Sequence, residues 1–150
     1  RSIDINLTGA MHILRESIPY LKLGWDPSIV IVGSKNVPAP GPAASAYSVA
    51  KAGLNQLARV LALELANEGI RVNTVHPNAV FDTAIWTPEV LESRAVHYGM
   101  SVDEYRKNNL LNREVCSADV ARLVCAMVGD AFRCTTGAQV SIDGGNERVI

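Results

Sequence analysis

Three short apolar runs, at residues 28–32, 70–75 and 138–142, are separated by segments whose apolar residues recur at helical spacing. This switching of hydrophobic period is the strongest constraint on the fold. Residues 28–32 read Ser-Ile-Val-Ile-Val and stop at Gly33. A continuous β-branched run of that length predicts a strand buried on both faces, as in a parallel sheet. Residues 2–23 carry Ile3, Leu7, Met11, Leu14, Ile18 and Leu21 at three- and four-residue steps, which predicts an amphipathic helix. Residues 46–68 do the same with Leu54, Leu57, Leu61 and Leu65, and Gly69 supplies a left-handed cap. The next strand follows almost at once, a connection length usual in α/β units. Alternating helices and strands imply parallel strands joined by right-handed crossovers, hence an α/β, doubly wound sheet.

Between residues 77 and 112 the pattern weakens, with short helices expected at 88–97 and 102–108. Ser101 and Glu104 match a capping box. A segment that follows the C-terminal end of a strand is placed to cover a substrate. A helix at 117–128 is expected to be capped by Ser117. A net charge of −1 with no basic run argues against nucleic acid as the main partner. No apolar stretch has the ~18 residues a membrane helix needs, and no signal peptide is evident. Cys116, Cys125 and Cys134 have no close pairing and read as reduced thiols in a cytoplasmic protein. Cys125 is expected to be a small buried hydrophobe. His12, His76 and His97 lack metal-ligand spacing, so no metal site is expected.

Four residues can carry chemistry. Tyr47 and Lys51 are one helical turn apart on one face. A phenol ordinarily titrates near ~10, too high for a base at neutral pH. A neighbouring ammonium favours the phenolate and makes the pair competent for proton transfer to or from an alcohol oxygen. Ser34 follows Gly33 at a strand's C-terminal end, where open α/β sheets bind ligands, and can donate to a substrate oxygen. Asn6 is an amide in the first helix that must find partners, and it can hold a water. A serine hydrolase built on Ser34 with His76 or His97 is disfavoured, because Val-Gly-Ser-Lys-Asn is not a nucleophile elbow.

Taken together, Asn6, Ser34, Tyr47 and Lys51 resemble the catalytic tetrad of the short-chain dehydrogenase/reductase family. Asn-Leu-Thr-Gly at 6–9 is similar to its asparagine helix, and Ile-Val-Ile-Val-Gly-Ser at 29–34 to its serine strand. Tyr-Ser-Val-Ala-Lys-Ala-Gly-Leu at 47–54 is similar to its active-site helix. Ile-Arg-Val-Asn-Thr-Val-His-Pro at 70–77 and Thr-Gly-Ala-Gln-Val-Ser-Ile-Asp-Gly-Gly at 136–145 resemble its later strands. The resemblance implies a Rossmann-like fold and hydride transfer between NAD or NADP and a small alcohol or carbonyl substrate. Tyr47 would be the acid/base, and Ser34 would orient the substrate oxygen. Lys51 would bind the nicotinamide ribose, and Asn6 would support a water relay. Tyr47, Lys51, Pro77, Asn78, Val80 and Thr83 would meet the cofactor.

Two departures stand out. Asn78 replaces the family's usual glycine after Pro77, a residue that tolerates left-handed backbone next best, and Thr83 is one position late. The family's glycine-rich phosphate loop has no counterpart here. Residues 1–150 are therefore expected to form the C-terminal half of one dehydrogenase domain, unable to bind cofactor or turn over substrate alone. A finer resemblance, carried by Asn78-Ala-Val-Phe, Ile85-Trp86, Tyr105-Arg-Lys and Leu110-Leu111, is to the dehydrogenase half of bifunctional rhamnulose-phosphate aldolase/alcohol dehydrogenases. It implies lactaldehyde or a sugar-derived alcohol as substrate. Helices 2–23 and 46–68, with Ala58, Ala62 and Ala66, are expected to build a homodimer or homotetramer. The alternative is a catalytically incompetent fragment serving only in binding or assembly.

Overall fold

A computed structural model describes residues 1–146. Three parallel strands, β1 (Ser28–Val32), β2 (Arg71–Pro77) and β3 (Gln139–Ile142), lie in the order β1-β2-β3. Ser28 faces Arg71 and Thr74 faces Gln139. Helices α1 (Gly9–Leu21) and α2 (Ser45–Glu64) supply the core of one face: Leu14, Leu54, Ala58, Leu61 and Ala62 pack with Ile29, Ile31 and Val72. Helix α5 (Ser117–Val128) contacts β1 and β2 and buries Met127 completely. The chain has the parallel α/β architecture the alternation implied, in keeping with the Rossmann-like fold the resemblance implied.

Only β2 is buried on both faces, with Val72, Asn73, Thr74 and Val75 essentially inaccessible. The expectation for β1 is corrected: Ile29 and Ile31 are buried, Ser28 and Val30 half-buried, and Val32 exposed. The difference is positional, since β2 has a strand on each side and β1 has one. Most polar side-chain groups of β2 find partners, although Thr74 Oγ1 and Arg71 Nε are buried without one. Asn73 donates to the Thr135 carbonyl at 2.8 Å and accepts from the Ala138 N–H at 3.0 Å. Arg71 donates to three carbonyls at or just beyond the end of α5, those of Met127, Val128 and Phe132, and pairs with Asp26 at 3.2 Å.

The helix expected over 2–23 is not uniform. Residues Asp4–Thr8 form a π-helical turn before α1 begins. The helix expected over 46–68 ends at Glu64 and tightens into a 3₁₀ turn, Ala66–Glu68, that Gly69 closes at φ +71°. Ala58 and Ala62 are buried against the sheet, which removes them from the expected subunit contact. Cys125 is exposed rather than buried, because α5 turns Met127 inward. Ser117 is the first helical residue of α5, not its cap. Cys116 holds the cap position, and Asp119 accepts from its backbone N–H at 3.0 Å. Helices α3 (Pro88–His97) and α4 (Val102–Arg106) follow β2, and α4 begins with the expected Ser101–Glu104 capping box. No helix among the described residues is long and apolar enough to cross a membrane.

Candidate active site

The site begins where β1 ends. Gly33 is required there by space, since a Cβ at this position would lie 2.6 Å from His76 Nδ1. That close approach lets His76, on the adjacent β2, bond the backbone of Ser34. Its Nε2 lies 2.8 Å from Gln139 Oε1, and its Nδ1 lies 3.2 Å from the Ser34 nitrogen and 3.0 Å from the Ser34 carbonyl oxygen, so the ring bonds the Ser34 backbone in either tautomer. His76 thus fixes the backbone of Ser34 and makes no bond to its hydroxyl, which leaves a Ser34–His76 hydrolase without its base. The Ser34 hydroxyl accepts from the Asn36 N–H at 3.2 Å. Next to it, Lys35 is buried and ion-paired with Asp143, just past the end of β3.

Tyr47 and Lys51 come from the first turns of α2. The Lys51 ammonium donates to the Val32 carbonyl at 3.0 Å, two residues before Ser34. It also lies 5.8 Å from the centroid of the Tyr47 ring, within cation–π range. Burial holds the Lys51 pKa below its ordinary 10.5. One side chain therefore joins the tyrosine of α2 to the strand that carries the serine.

Asn6 lies in the π-helical turn and donates to the Ser2 carbonyl at 3.1 Å. Such turns occur often at functional sites. The turn packs against α2 beside Lys51, where Leu7 occupies the space a Cβ on Gly53 would need. Pro77 ends β2. Asn78 donates through Nδ2 to Asn146 at 2.7 Å, and the left-handed residue is its neighbour Ala79, at φ +51°. The expectation that Asn78 would take the left-handed conformation is corrected: Asn78 keeps its backbone N–H on the Ile142 carbonyl, so the chain reverses one residue later. Val80 bridges to Val115, and the Thr83 hydroxyl donates to the Val80 carbonyl at 2.9 Å.

Tyr47, Asn36, Asn78 and Ala79 line a cavity of about 650 Å³ whose far wall comes from α3, α4 and the loop before them. Ser34, Lys51, Asn6, Pro77, Val80 and Thr83 stand outside that lining. Phe81, Trp86 and Tyr105 form an edge-to-face cluster with centroids 4.9 to 6.3 Å apart, and Tyr98 stacks on Tyr105 at 5.7 Å. Sequence reasoning singled out neither this cluster nor the Lys35–Asp143 pair, and it paired His76 with Ser34 only as a disfavoured hydrolase base, not as a holder of its backbone. The one available signal was the aromatic density of the segment after β2. No group of His, Cys, Asp and Glu side chains able to hold a metal occurs among the described residues.

The profile of a family described as Enoyl-(Acyl carrier protein) reductase matches residues 1–147. The chain is 38% identical to the uncharacterized oxidoreductase YuxG of Bacillus subtilis, over 96% of this chain and 22% of that protein. It is 32% identical to D-beta-hydroxybutyrate dehydrogenase of Rhizobium meliloti, over 97% of this chain and 57% of that one. A short chain dehydrogenase family protein from Francisella tularensis superposes with a TM-score of 0.80 at 33% identity, covering 97% of this chain and 60% of its own. An NADPH-bound short chain oxidoreductase from Pseudomonas aeruginosa gives 0.84 at 26% identity, covering 99% and 57%. The chain thus spans about half, or less, of the proteins it matches.

Proposed function

The chain belongs to the short-chain dehydrogenase/reductase family, and from that premise we propose that it carries the proton-transfer half of an NAD- or NADP-dependent alcohol/carbonyl oxidoreductase. The observation that carries this reading is the Lys51 ammonium, held between the end of β1 and the Tyr47 ring, with Tyr47 on the cavity wall. Tyr47 is the group that gives a proton to, or takes one from, the substrate oxygen. Lys51 is a fixed cation beside it, 5.8 Å from the centroid of its ring. Ser34, its backbone held by His76, donates to the same oxygen. Asn6, one helix away, supports the path by which Lys51 exchanges protons with water.

The nicotinamide cofactor, when bound, supplies or accepts the hydride. The residues present fit its nicotinamide end. Lys51 offers an ammonium at the sheet's C-terminal edge, and the Asn78-Ala79 turn opens onto the cavity. Pro77, Val80 and Thr83 continue that turn. Among the described residues no helix of useful length follows a glycine-rich turn able to receive a pyrophosphate. We propose that the competent unit is the intact protein rather than residues 1–150 alone. Within the reaction class, a sugar-derived alcohol or aldehyde is the finer reading. We place the protein in the cytoplasm and its oligomer contact on α1 and α2. The test is nicotinamide turnover by the intact protein. Tyr47→Phe removes the proton and keeps the ring, and it is expected to lower kcat by ~10²-fold or more. Near wild-type turnover in this variant would refute the assignment.

A further inference from the structure

We propose that the substrate held by this cavity carries a carboxylate or phosphate group, and that Arg94 binds it. The inference rests on the dehydrogenase reading for the word substrate, but the binding site stands on its own geometry. Apart from its tyrosines, the ionisable side chains lining the cavity are Arg94, His97 and Arg106, and no Asp or Glu lines it among the described residues. The chain as a whole has a net charge of −1, so this wall is not a sample of a generally basic surface.

Arg94 and His97 are three residues apart on α3, which places both on one face of that helix. Among the described residues no carboxylate lies within ion-pair reach of Arg94. Arg106, from α4, is only marginally neutralised, because Glu114 lies 4.0 Å away and its Nε is buried without a hydrogen-bond partner. Arg94 and His97 are exposed to solvent on the cavity wall, and Arg106 is half-buried. A carboxylate or phosphate meets a guanidinium with charge-assisted, two-pronged hydrogen bonds, stronger than those a neutral hydroxyl or carbonyl oxygen can accept. The rest of the wall mixes aromatic side chains, Phe81, Trp86 and Tyr98 among them, with aliphatic residues and neutral asparagines, and a cavity of about 650 Å³ suits a compact molecule. The assigned substrate is thus a small hydroxy or keto compound with its anionic group at Arg94 and its reacting oxygen at Tyr47.

The same guanidinium could instead meet a phosphate of the dinucleotide, and the experiment separates the two. Calorimetry is performed on the intact protein saturated with NADH or NADPH, titrating glycerate, inorganic phosphate and glycerol. Glycerate or phosphate should bind, and glycerol should bind at least on the order of 10-fold more weakly. Arg94→Gln should weaken the anion by a similar factor and leave glycerol unchanged, and Arg94→Lys should restore part of the loss. Equal binding of glycerate and glycerol, no binding of either anion, or anion binding unchanged in Arg94→Gln would overturn the proposal. So would a weakened cofactor Kd in Arg94→Gln with the anion unaffected, since the phosphate held would then be the cofactor's. A protein that binds the anions through Arg94 but turns over no alcohol or carbonyl compound would sink the dehydrogenase reading and leave the anion site standing. In turnover, glycerate and glycerol 3-phosphate should exceed lactaldehyde and propane-1,2-diol in kcat/KM, and a preference for the neutral pair would count against the charged substrate.

Discussion

Lys51 is a half-buried cation, and the cost of that position depends on pH. Its folded pKa lies below the ordinary 10.5 because burial disfavours the charged form. Below both values Lys51 is charged in either state, and the cost of burying it is fully present. As pH rises through the lowered value towards 10.5, the unfolded chain binds more protons than the folded one, so stability rises with pH. Lys51→Met removes the charge. Its urea midpoint relative to wild type should be most favourable near neutral pH, and the gap should change in favour of wild type as pH climbs towards 10.5. Parallel midpoint curves would reject this account. Lys35 presents the opposite case. It is fully buried and paired with Asp143, so Lys35→Met strands a carboxylate in the interior and should cost ~3–5 kcal/mol. The double variant Lys35→Met/Asp143→Leu should recover most of that loss, as read by urea denaturation.

Among the elements, α5 is anchored at both ends by polar groups that its own apolar pattern does not reveal. At its C-terminus Arg71 gathers carbonyls, as described above. At its N-terminus the Asp119 carboxyl is drawn down to about 2, first by the Cys116 thiol, then by the Cys116 N–H and the Arg122 guanidinium. Its folded pKa lies below the ordinary 3.8. Its contribution is therefore present above that value and is lost as pH falls through about 2. Asp119→Ala should lower Tm at neutral pH, and the difference should vanish near pH ~2. The periodicity of residues 117–128 announced the helix correctly and said nothing about its caps, because a cap is a local hydrogen bond. The strands were legible almost to the residue for a related reason, since short β-branched runs have few other uses. The π-helical turn at Asn6 was not legible, because an extra residue in one turn leaves the three- and four-residue apolar spacing nearly intact. The Tyr47–Lys51 pair was visible as a spacing. Its tether to Val32 depends on how β1 and α2 meet, as the Lys35–Asp143 pair depends on β1 and β3, and no local pattern encodes either meeting.

For the whole molecule, the layer formed by α1 and α2 keeps an apolar outer side. Ala58 and Ala62 serve the core, yet Ile13 is 68% and Leu63 79% exposed, with Ile5, Tyr20 and Val49 also open. A surface of this kind is suited to a two-fold contact in which each subunit presents the same patch. In the intact protein, Ile13→Glu combined with Leu63→Glu should shift sedimentation towards the monomer while circular dichroism stays unchanged. A monomeric wild type at micromolar concentration would remove the basis for this prediction.

The parallel sheet also dictates how the chain must find its shape. Ser28 cannot meet Arg71, nor Thr74 meet Gln139, until the whole of an intervening helix or helical segment has been folded away. Lys35 and Asp143, 108 positions apart in the sequence, close the longest of these circuits. Each such closure spends chain entropy before any contact repays it, which makes folding slow relative to a helical protein of the same size. The pocket-forming ends of the strands are held by the most distant pairings, so they are the natural candidates to assemble late. Substitutions there should be felt mainly as faster unfolding, with the rate of folding set by the packing of α2 on the sheet.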